Sequence, residues 1–383
     1  MKIQCQQKEL LEAVGLAAGV VPNNATRPIL QTLLLEADAG GLVVQGTDLE
    51  VGLSARVDEV ICETPGRVAI PATRLQGILR ESRSEQVTIE EVDGQVRILA
   101  GSSRFKIPVL PDDEFPQLDF RPPSPALRLE RESLLGLLRR VSVAATRDAT
   151  RFQMHSVLID SRENTLRLVS TDGKRMAVGM IPLDEERKQG LDDAQFILPL
   201  KGVELLMRIL DLEPSPEIEL HLDQNEVTYS SDRISLSSRL VEGRYPEYER
   251  AIPDDHEHVY TVDTEALIVG LRQASLMTTK ETNSVRFSFT SNSVVLSTAA
   301  SNVGESRVEI PVQQDSGDGE EFTIHFNPGY LIELLRVLDS PQVICSFRDR
   351  KTAGLFSLPA SEMSYRHIVM PLVVQEGVGV AEE

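Results

Sequence analysis

Apolar residues recur three and four positions apart in six stretches of the chain, which is the pattern of helices that bury one face. The stretches form two sets of three, and in one set the repeat step is 128 residues. Self-similarity at a fixed step indicates copies of one structural unit. The pattern therefore predicts two helices in each of three repeats, with these apolar positions: Leu10, Leu11, Val14 and Ala17, then Leu75, Ile78 and Leu79; Leu134, Leu135, Leu138 and Val141, then Val203, Leu206 and Met207; Leu267, Ile268, Leu271 and Ala274, then Leu331, Leu334 and Leu335.

The segments between these helices alternate apolar and polar residues or carry β-branched residues, which is typical of strands. The acidic, glycine-containing stretch 313–321 is predicted to be an exposed loop. The fold class is therefore α+β, with three similar domains that each pack two helices on antiparallel sheets. Strands are expected at 42–48, 51–57, 87–109, 166–173, 176–181, 217–240, 293–298, 307–312 and 343–370.

Two stretches rich in proline or charge interrupt the repeats, at 121–125 and 252–256. Such compositions are typical of linkers between domains. We therefore expect an N-terminal domain at 1–121, a central domain at 122–255 and a C-terminal domain at 256–383. The last of these is predicted to end in a short flexible tail, residues 374–383.

The charge of the chain is strongly unbalanced, because 59 acidic and 39 basic side chains give a formal charge of −20. This balance opposes a simple basic-patch DNA binder, since attraction to phosphate needs local positive charge. Arg80, Arg208 and Arg336 nevertheless recur at one helical phase, on the side away from the apolar stripe. Taken singly, each is a solvated residue that complements its helix dipole. Their recurrence in all three repeats favours a common function on the outer face of these helices. Residues that only complement a helix dipole would also recur, so the recurrence does not decide between the two.

Sequence motifs for catalysis or cofactor binding do not occur. The glycine and lysine at 173–174 lack the spacing of a phosphate-binding loop, and neither the six histidines nor the three cysteines have metal-site spacing. We expect no metal and no cofactor. Asp112 and Asp113 leave one alternative, the paired acids of a metal-dependent hydrolase, against a solvated turn. No apolar run approaches the roughly 20 residues that span a bilayer, so a cytoplasmic protein is expected.

Short motifs along the whole chain resemble one family in the family's own order. The chain resembles the bacterial sliding clamp, the β subunit of DNA polymerase III, which is also built of three similar domains. The motifs are Arg27-Pro-Ile-Leu30, Gly46-Thr-Asp-Leu-Glu50, Ser103-Arg-Phe105, Phe115-Pro-Gln-Leu118, Thr171-Asp-Gly-Lys-Arg175, Lys201-Gly202, Gly243-Arg-Tyr-Pro-Glu-Tyr248 and Val369-Met-Pro371.

The resemblance implies a function without catalysis. Family members form a ring-shaped homodimer, with helices lining a central hole through which duplex DNA passes without sequence specificity. The clamp tethers the replicative polymerase, and a hydrophobic groove receives short linear motifs from this polymerase, from an ATP-dependent clamp loader and from other polymerases and repair proteins. The resemblance thus implies a processivity factor that acts in the cytoplasm, on the nucleoid. A specialised paralogue of the clamp, retained for tolerance of an antibiotic, is an alternative.

The family's peptide-binding groove maps onto the second and third repeats. Methionines and small aliphatic residues make a pliable apolar surface that accommodates related peptides. Read without the family, Met176, Ile368 and Leu372 are core or strand residues, and the resemblance reverses that interpretation. The groove positions are Met154, Thr171, Gly173, Lys174, Arg175, Met176, Pro246, Arg250, Ala251, Asn327, Tyr330, Gly354, Ile368, Met370, Pro371 and Leu372.

Two further surfaces follow from the resemblance. The DNA-facing set comprises Arg74, Arg80, Arg139, Arg140, Phe152, Gln153, Lys201, Arg208, Arg272 and Arg336. The dimer interface is expected to join Arg74, Ile78, Arg97, Arg104 and Phe105 of one subunit to Leu276, Met277, Glu305 and Glu309 of the other. The tail 374–383 follows the last groove residues, which leads to the hypothesis that it transiently covers the groove.

Overall fold

The computed structural model describes residues 1–121, 126–148, 150–162, 164–188, 191, 193–279, 283–300, 303–359 and 364–373. The predicted tail 374–383 and most of the predicted linker 121–125 lie outside these residues. All six helices expected from the apolar spacing are present. A short helix at Glu185–Lys188, which the spacing did not predict, lies between the fifth and sixth expected strand regions.

The first repeat runs from β1 to β9, and its elements are β1 (Lys2–Gln6), α1 (Gln7–Ala18), β2 (Thr32–Asp38), β3 (Gly41–Thr47), β4 (Val51–Val57), β5 (Val60–Thr64), β6 (Gly66–Pro71), α2 (Ala72–Glu81), β7 (Gln86–Val92), β8 (Gln95–Ala100) and β9 (Ser103–Pro108). The second repeat has β10 (Ala126–Glu130), α3 (Arg131–Ser142), β11 (Ser156–Arg162), β12 (Thr165–Thr171), β13 (Arg175–Pro182), α4 (Glu185–Lys188), β14 (Ala194–Pro199), α5 (Leu200–Leu212), β15 (Glu217–Leu222), β16 (Glu226–Ser230) and β17 (Ile234–Arg239).

The third repeat has β18 (His258–Asp263), α6 (Thr264–Ser275), β19 (Val285–Phe289), β20 (Ser293–Ala300), β21 (Gly304–Ser316), β22 (Phe322–Phe326), α7 (Pro328–Val337), β23 (Gln342–Phe347), β24 (Gly354–Ser357) and β25 (Ser364–Val369). Its helices begin at side-chain caps. Asp263 accepts a hydrogen bond from Ala266 N at 2.8 Å, and Asn327 accepts one from Gly329 N at 2.9 Å. These caps satisfy amides that have no partner inside the helix.

The apolar stripe of each helix faces the core, and the repeated arginines do not. Leu75, Val203 and Leu331 are fully buried, because each packs its helix against a sheet. Arg80, Arg208 and Arg336 are exposed, as their helical phase predicts.

The strand pairs whose registers are described are antiparallel in the three sheets. The strand orders are β5-β1-β7-β8-β9, then β10-β15-β16-β17-β4-β3-β2-β6, then β14-β11-β12-β13-β25-β24-β23-β18-β21-β20-β19-β22. The two larger sheets run across repeats, because β17 pairs with β4 and β13 pairs with β25. Neighbouring repeats therefore share hydrogen-bonded sheets.

Part of the predicted loop 313–321 is strand. β21 continues to Ser316, and Thr261 and Val262 of β18 pair with Gln313 and Val312. The acidic and polar composition misled the prediction, because β21 changes partner there and its polar side chains remain exposed along an edge. Only the remainder of the stretch, up to β22, is a turn.

Two compact units divide the described chain. Unit 1 contains residues 1–135, 185–192 and 198–241, and unit 2 contains residues 136–184, 193–197 and 242–383. The second repeat contributes to both units because its strands join sheets of both neighbouring repeats. The boundaries of the three sequence domains remain a prediction.

Candidate functional site

A tight turn in unit 2 joins β12 to β13 through the sequence Thr-Asp-Gly-Lys-Arg. Asp172 Oδ1 accepts hydrogen bonds from Lys174 N at 2.8 Å and Arg175 N at 3.0 Å. Thr171 Oγ1 accepts one from Gly173 N at 3.0 Å and donates one to Arg175 O at 2.7 Å. Gly173 has a φ of +87°, which favours glycine. The side chains of this sequence therefore fix the backbone of the turn.

Arg175 leaves this turn and lies among acidic and aromatic groups. Its Nε is 3.2 Å from Asp172 Oδ2, and its Nη2 is 2.7 Å from Glu333 Oε2 of α7. The guanidinium carbon lies 4.6 Å from the centre of the Tyr330 ring, within cation–π range. The side chain is only 8% exposed, and Nη1 has no hydrogen-bond partner among the described residues. One donor of a nearly buried cation is thus both buried and unsatisfied among these residues.

The apolar part of the site lies where β13 pairs with β25. Met176 is opposite Ile368, and both are buried. Met370 N donates to Lys174 O at 2.9 Å, which extends the pairing past the end of β25. Met370 is 49% exposed and Leu372 is 38% exposed, so they form the accessible apolar surface. Met176 and Ile368 are therefore buried in the sheet, whereas Leu372 is exposed.

A segment between β17 and β18, residues 245–251, carries three more of the predicted groove positions. Pro246, Arg250 and Ala251 are exposed, and Arg250 Nη1 is 2.8 Å from Glu247 Oε2. The buried Tyr245 and Tyr248 fasten the same segment to the protein. Burial raises the pKa of Tyr245 above its ordinary value, so its phenol is neutral at physiological pH.

The remaining groove positions are distributed around the turn. Met154 Cε lies 4.0 Å from the place that a Cβ on Gly173 would occupy, so this methionine borders the turn. Asn327 caps α7, and Tyr330 lies one turn later. Gly354 is buried, and a side chain there would contact Phe326 and Phe347. Gly354 therefore allows aromatic packing beneath the surface and contributes no accessible side chain.

Several residues of this site were not among the predicted positions. Asp172 and Glu333 hold Arg175, and they are distant from each other in sequence. The recurrence of Thr-Asp at 47–48 and 171–172 is a signal that marks Asp172. Nothing in the local sequence of α7 distinguishes Glu333 from an ordinary exposed glutamate.

The predicted DNA-facing residues differ in what they contact. In unit 1, Arg74 and Arg80 are exposed, but Lys201 Nζ bonds to Val20 O at 2.6 Å and to Asp48 Oδ2. Arg208 Nη2 donates to Gly15 O at 2.9 Å. In unit 2, exposed residues of the set are Arg139, Phe152, Gln153, Arg272 and Arg336, and Arg140 is half-buried.

The predicted dimer residues lie along two strand edges. In unit 1, β9 is an unpaired edge, and beside it a cleft of about 900 Å³ is lined by Arg74, Ile78, Arg104 and Phe105. Arg97 on β8 is exposed opposite Lys106.

In unit 2, the first part of β21 pairs with β20 on one side only. Glu305 and Glu309 are exposed on this part of the strand, and Glu309 also lines a cleft of about 310 Å³ beside α6. Leu276, at the end of α6, is 73% exposed, and Met277 is half-buried. This region therefore presents two carboxylates with the exposed Arg307 between them, beside apolar side chains.

The described residues contain no group of three or more histidine, cysteine, aspartate or glutamate side chains arranged to hold a metal. Among those same residues, no helix is long and apolar enough to cross a membrane. Asp112 lies in a short 3-10 turn, with Oδ2 at 3.7 Å from Arg67 Nε. The turn interpretation of these acids is therefore correct.

Comparison with known proteins covers nearly the whole chain. Residues 1–119, 128–247 and 249–373 match the N-terminal, central and C-terminal domains of the DNA polymerase III beta subunit. A beta sliding clamp from Pseudomonas putida is 30% identical over 97% of this chain and 100% of its own length. The Haemophilus influenzae beta sliding clamp is 28% identical, with the same shares covered.

Solved structures agree with the sequence comparison. The DNA polymerase III beta subunit from Thermotoga maritima has a TM-score of 0.88 and 25% identity, and covers 97% of this chain and 99% of its own. A sliding clamp from Pseudomonas aeruginosa, bound to griselimycin, has a TM-score of 0.87 and 27% identity. It covers 98% of this chain and 100% of its own. The predicted fold class is confirmed.

These matches extend over all three repeats and decide between the functions that the sequence left open. Neither the hydrolase nor the specialised paralogue is favoured. The chain belongs to the DNA polymerase III beta subunit family, and it is a DNA sliding clamp, a non-catalytic processivity factor that dimerises, encircles DNA and tethers the polymerase.

Proposed function

We propose that the surface around Arg175 in unit 2 is the groove that receives short linear motifs of partner proteins. The observation that carries this proposal is the unpartnered Nη1 of a nearly buried arginine beside exposed apolar side chains. This nitrogen is itself buried, so we infer that a peptide carbonyl or carboxylate reaches it when the side chains around it move. Leaving such a donor without a partner costs about 1–3 kcal/mol, which binding recovers. Met370 and Leu372 adapt to the apolar side chains of different peptides.

The partners follow from the same proposal. The replicative polymerase, other polymerases and repair proteins each present a short motif to this groove. The clamp loader is a separate protein, because the chain has no phosphate-binding loop with which to use ATP. The clamp acts in the cytoplasm, on the nucleoid, and its three domains span 1–121, 122–255 and 256–383.

We infer that two copies join by strand addition. The β9 edge presents Arg104 and Lys106, and the free part of β21 presents Glu305 and Glu309 with Arg307 between them. The β9 edge is thus basic, whereas two carboxylates outweigh one arginine on β21, and this difference favours pairing in one orientation. Ile78 and Phe105 supply apolar area to one side, and Leu276 and Met277 supply it to the other. This pairing closes the ring around the duplex.

DNA contact inside this ring is electrostatic and independent of sequence. Exposed bases such as Arg74, Arg80, Arg272 and Arg336 are best suited to contact phosphate. Lys201 and Arg208 bond to backbone carbonyls of unit 1, so they also serve its internal structure. Persistence on DNA comes from encirclement, since the net charge of −20 opposes tight binding.

A retention experiment tests this function. The clamp is loaded onto nicked circular DNA with its cognate loader and ATP, and the DNA is then linearised. We expect retention on circles and loss from linear DNA, because the ring slides off free ends. Linear DNA with protein-blocked ends is the control, and it should retain the clamp. Equal retention on open linear DNA would contradict encirclement.

A further inference from the structure

Residues 245–251 are here called the wall segment. Three of the predicted groove positions lie on its exposed side. It has little regular structure beyond one 3-10 turn, Tyr248–Ala251. A short irregular segment cannot hold its side chains in place by backbone hydrogen bonds alone. Its position must therefore come from side chains that attach it to a sheet.

Such attachments start from one face of the β11–β12 hairpin. Asp160 on β11 is directly opposite Arg167 on β12, and Arg162 lies two residues further on the same face. Asp160 is fully buried, whereas Arg162 and Arg167 are partly exposed. The face therefore presents two cations and one buried carboxylate to the residues that cover it.

The wall segment provides the complementary groups. Tyr248 Oη donates a hydrogen bond to Asp160 Oδ2 at 2.7 Å. Glu249 Oε1 accepts from Arg162 Nη1 at 2.9 Å and from Arg167 Nη1 at 3.0 Å. Burial, and then the bond to Asp160, raises the pKa of Tyr248 to about 12, so the phenol remains a donor at neutral pH. Two arginines thus balance two carboxylates.

The second strand of this hairpin, β12, also leads into the turn that holds Arg175. β12 carries Arg167 and ends at Thr171, the first residue of that turn. One strand is therefore connected to the turn at its end and to the wall segment along its length. This geometry fixes the distance between two sides of the groove.

We propose that Asp160, Arg162, Arg167, Tyr248 and Glu249, here called the wall anchor, are positioning residues that set the shape of the peptide groove. The inference rests on the proposed groove and extends it to residues that touch no peptide. Loss of an anchor contact frees Pro246, Arg250 and Ala251 to move. Peptide affinity then falls because binding must order the wall segment again.

Glu249→Gln is the first test, because it removes charge from an exposed position and keeps the side-chain shape. We expect the Kd of a fluorescent peptide that carries the cognate polymerase's clamp motif to rise three- to tenfold. Amide exchange in residues 246–252 should accelerate in the free protein, and the Tm should change little. The matched control is Glu219→Gln in unit 1, which loses a comparable exposed bond, at 2.7 Å to Arg128. It should change neither readout.

Tyr248→Phe tests the buried half of the wall anchor. It removes the donor to Asp160, so we expect a larger rise in Kd and some loss of stability. Adding Asp160→Asn removes the buried charge and should recover stability, while the wall segment remains loose and the Kd remains high. Recovery of affinity together with stability would mean a purely structural role and would overturn the proposal.

The two levels of the proposal fail differently. If the wild-type protein does not bind the peptide, the proposed groove is wrong. If the wild-type protein binds and Glu249→Gln binds equally well, the wall anchor has no positioning role. An equal weakening by Glu219→Gln would indicate a general charge effect and would also overturn it.

Discussion

The turn Thr47–Val51 in unit 1 and the turn Thr171–Arg175 in unit 2 have the same hydrogen bonds. In each, the aspartate Oδ1 accepts two amide bonds, and the threonine hydroxyl accepts one and donates to a carbonyl. The repetition of Thr-Asp in the sequence thus preserves a backbone structure. What differs between the turns is the set of side chains around them.

In unit 1 the neighbours close the turn. Lys201 of α5 donates a hydrogen bond to Oδ2 of Asp48, the carboxylate oxygen that the turn itself does not use. Leu118 and Phe120 lie over Gly52. In unit 2 the corresponding Oδ2 of Asp172 bonds to Arg175, which also reaches Glu333. Met176 stands where unit 1 has Gly52, and the surface remains accessible at Met370.

The comparison separates scaffold from function. Two copies of one turn have the same backbone, yet only one of them offers an unpartnered donor beside an apolar surface within the described residues. The binding site therefore resides in the residues by which the copies differ. Exchange of these residues between the copies tests the conclusion.

Arg175→Val should have the largest effect, because it gives unit 2 the residue that unit 1 has at this position, Val51. It removes a donor that the peptide uses and leaves Asp172 and Glu333 without their partner. We expect peptide affinity to fall about 10- to 100-fold, equivalent to a charged hydrogen bond of about 1.5–3 kcal/mol. Titration with a labelled peptide measures this change. Retention of this variant on circular DNA should be unchanged. An unchanged affinity for the peptide would mean that the groove lies elsewhere.

His367→Leu should change how stability depends on pH, and it copies Leu236 of unit 1. Burial, together with the charge of Arg175, lowers the pKa of His367 to about 3. The folded state thus keeps this histidine neutral, while the unfolded chain gains a proton below pH 6.5. Stability from this residue is present above pH 6.5 and is lost as pH falls towards 3. Between pH 7 and 5, the loss is about 2 kcal/mol.

Urea unfolding at pH 7 and pH 5 measures this contribution. The wild-type protein should lose more stability than His367→Leu over this interval, with a difference of about 2 kcal/mol. An equal loss in the wild-type protein and in His367→Leu would contradict the neutral buried state.

Lys201→Met should have the smallest effect. It breaks the bond to Asp48, which is partly exposed, so we expect a loss of no more than about 1 kcal/mol. Peptide affinity should be unchanged, because the turn of unit 1 takes no part in binding. Thermal unfolding and the same peptide titration provide the two readouts. A weakened peptide affinity would show that the turn of unit 1 also contributes to recognition.

The sequence predicted the repeated parts of the molecule better than its unique contacts. The helices were predictable because each buries a stripe with helical spacing, and the Thr-Asp turns because their side chains act locally. Residues 313–316 were missed because a polar edge strand resembles a loop. The bonds from Glu333 to Arg175 and from Tyr248 to Asp160 join residues far apart in sequence, so no local pattern reveals them.

Hydrogen exchange of the whole protein, with and without a saturating clamp-binding peptide, tests the contrast between the two turns most directly. We predict slower exchange in residues 171–176 and 364–372 when peptide is bound, and no change in residues 47–52. Protection of residues 47–52, or exchange in 171–176 that is unaffected by bound peptide, would contradict the account.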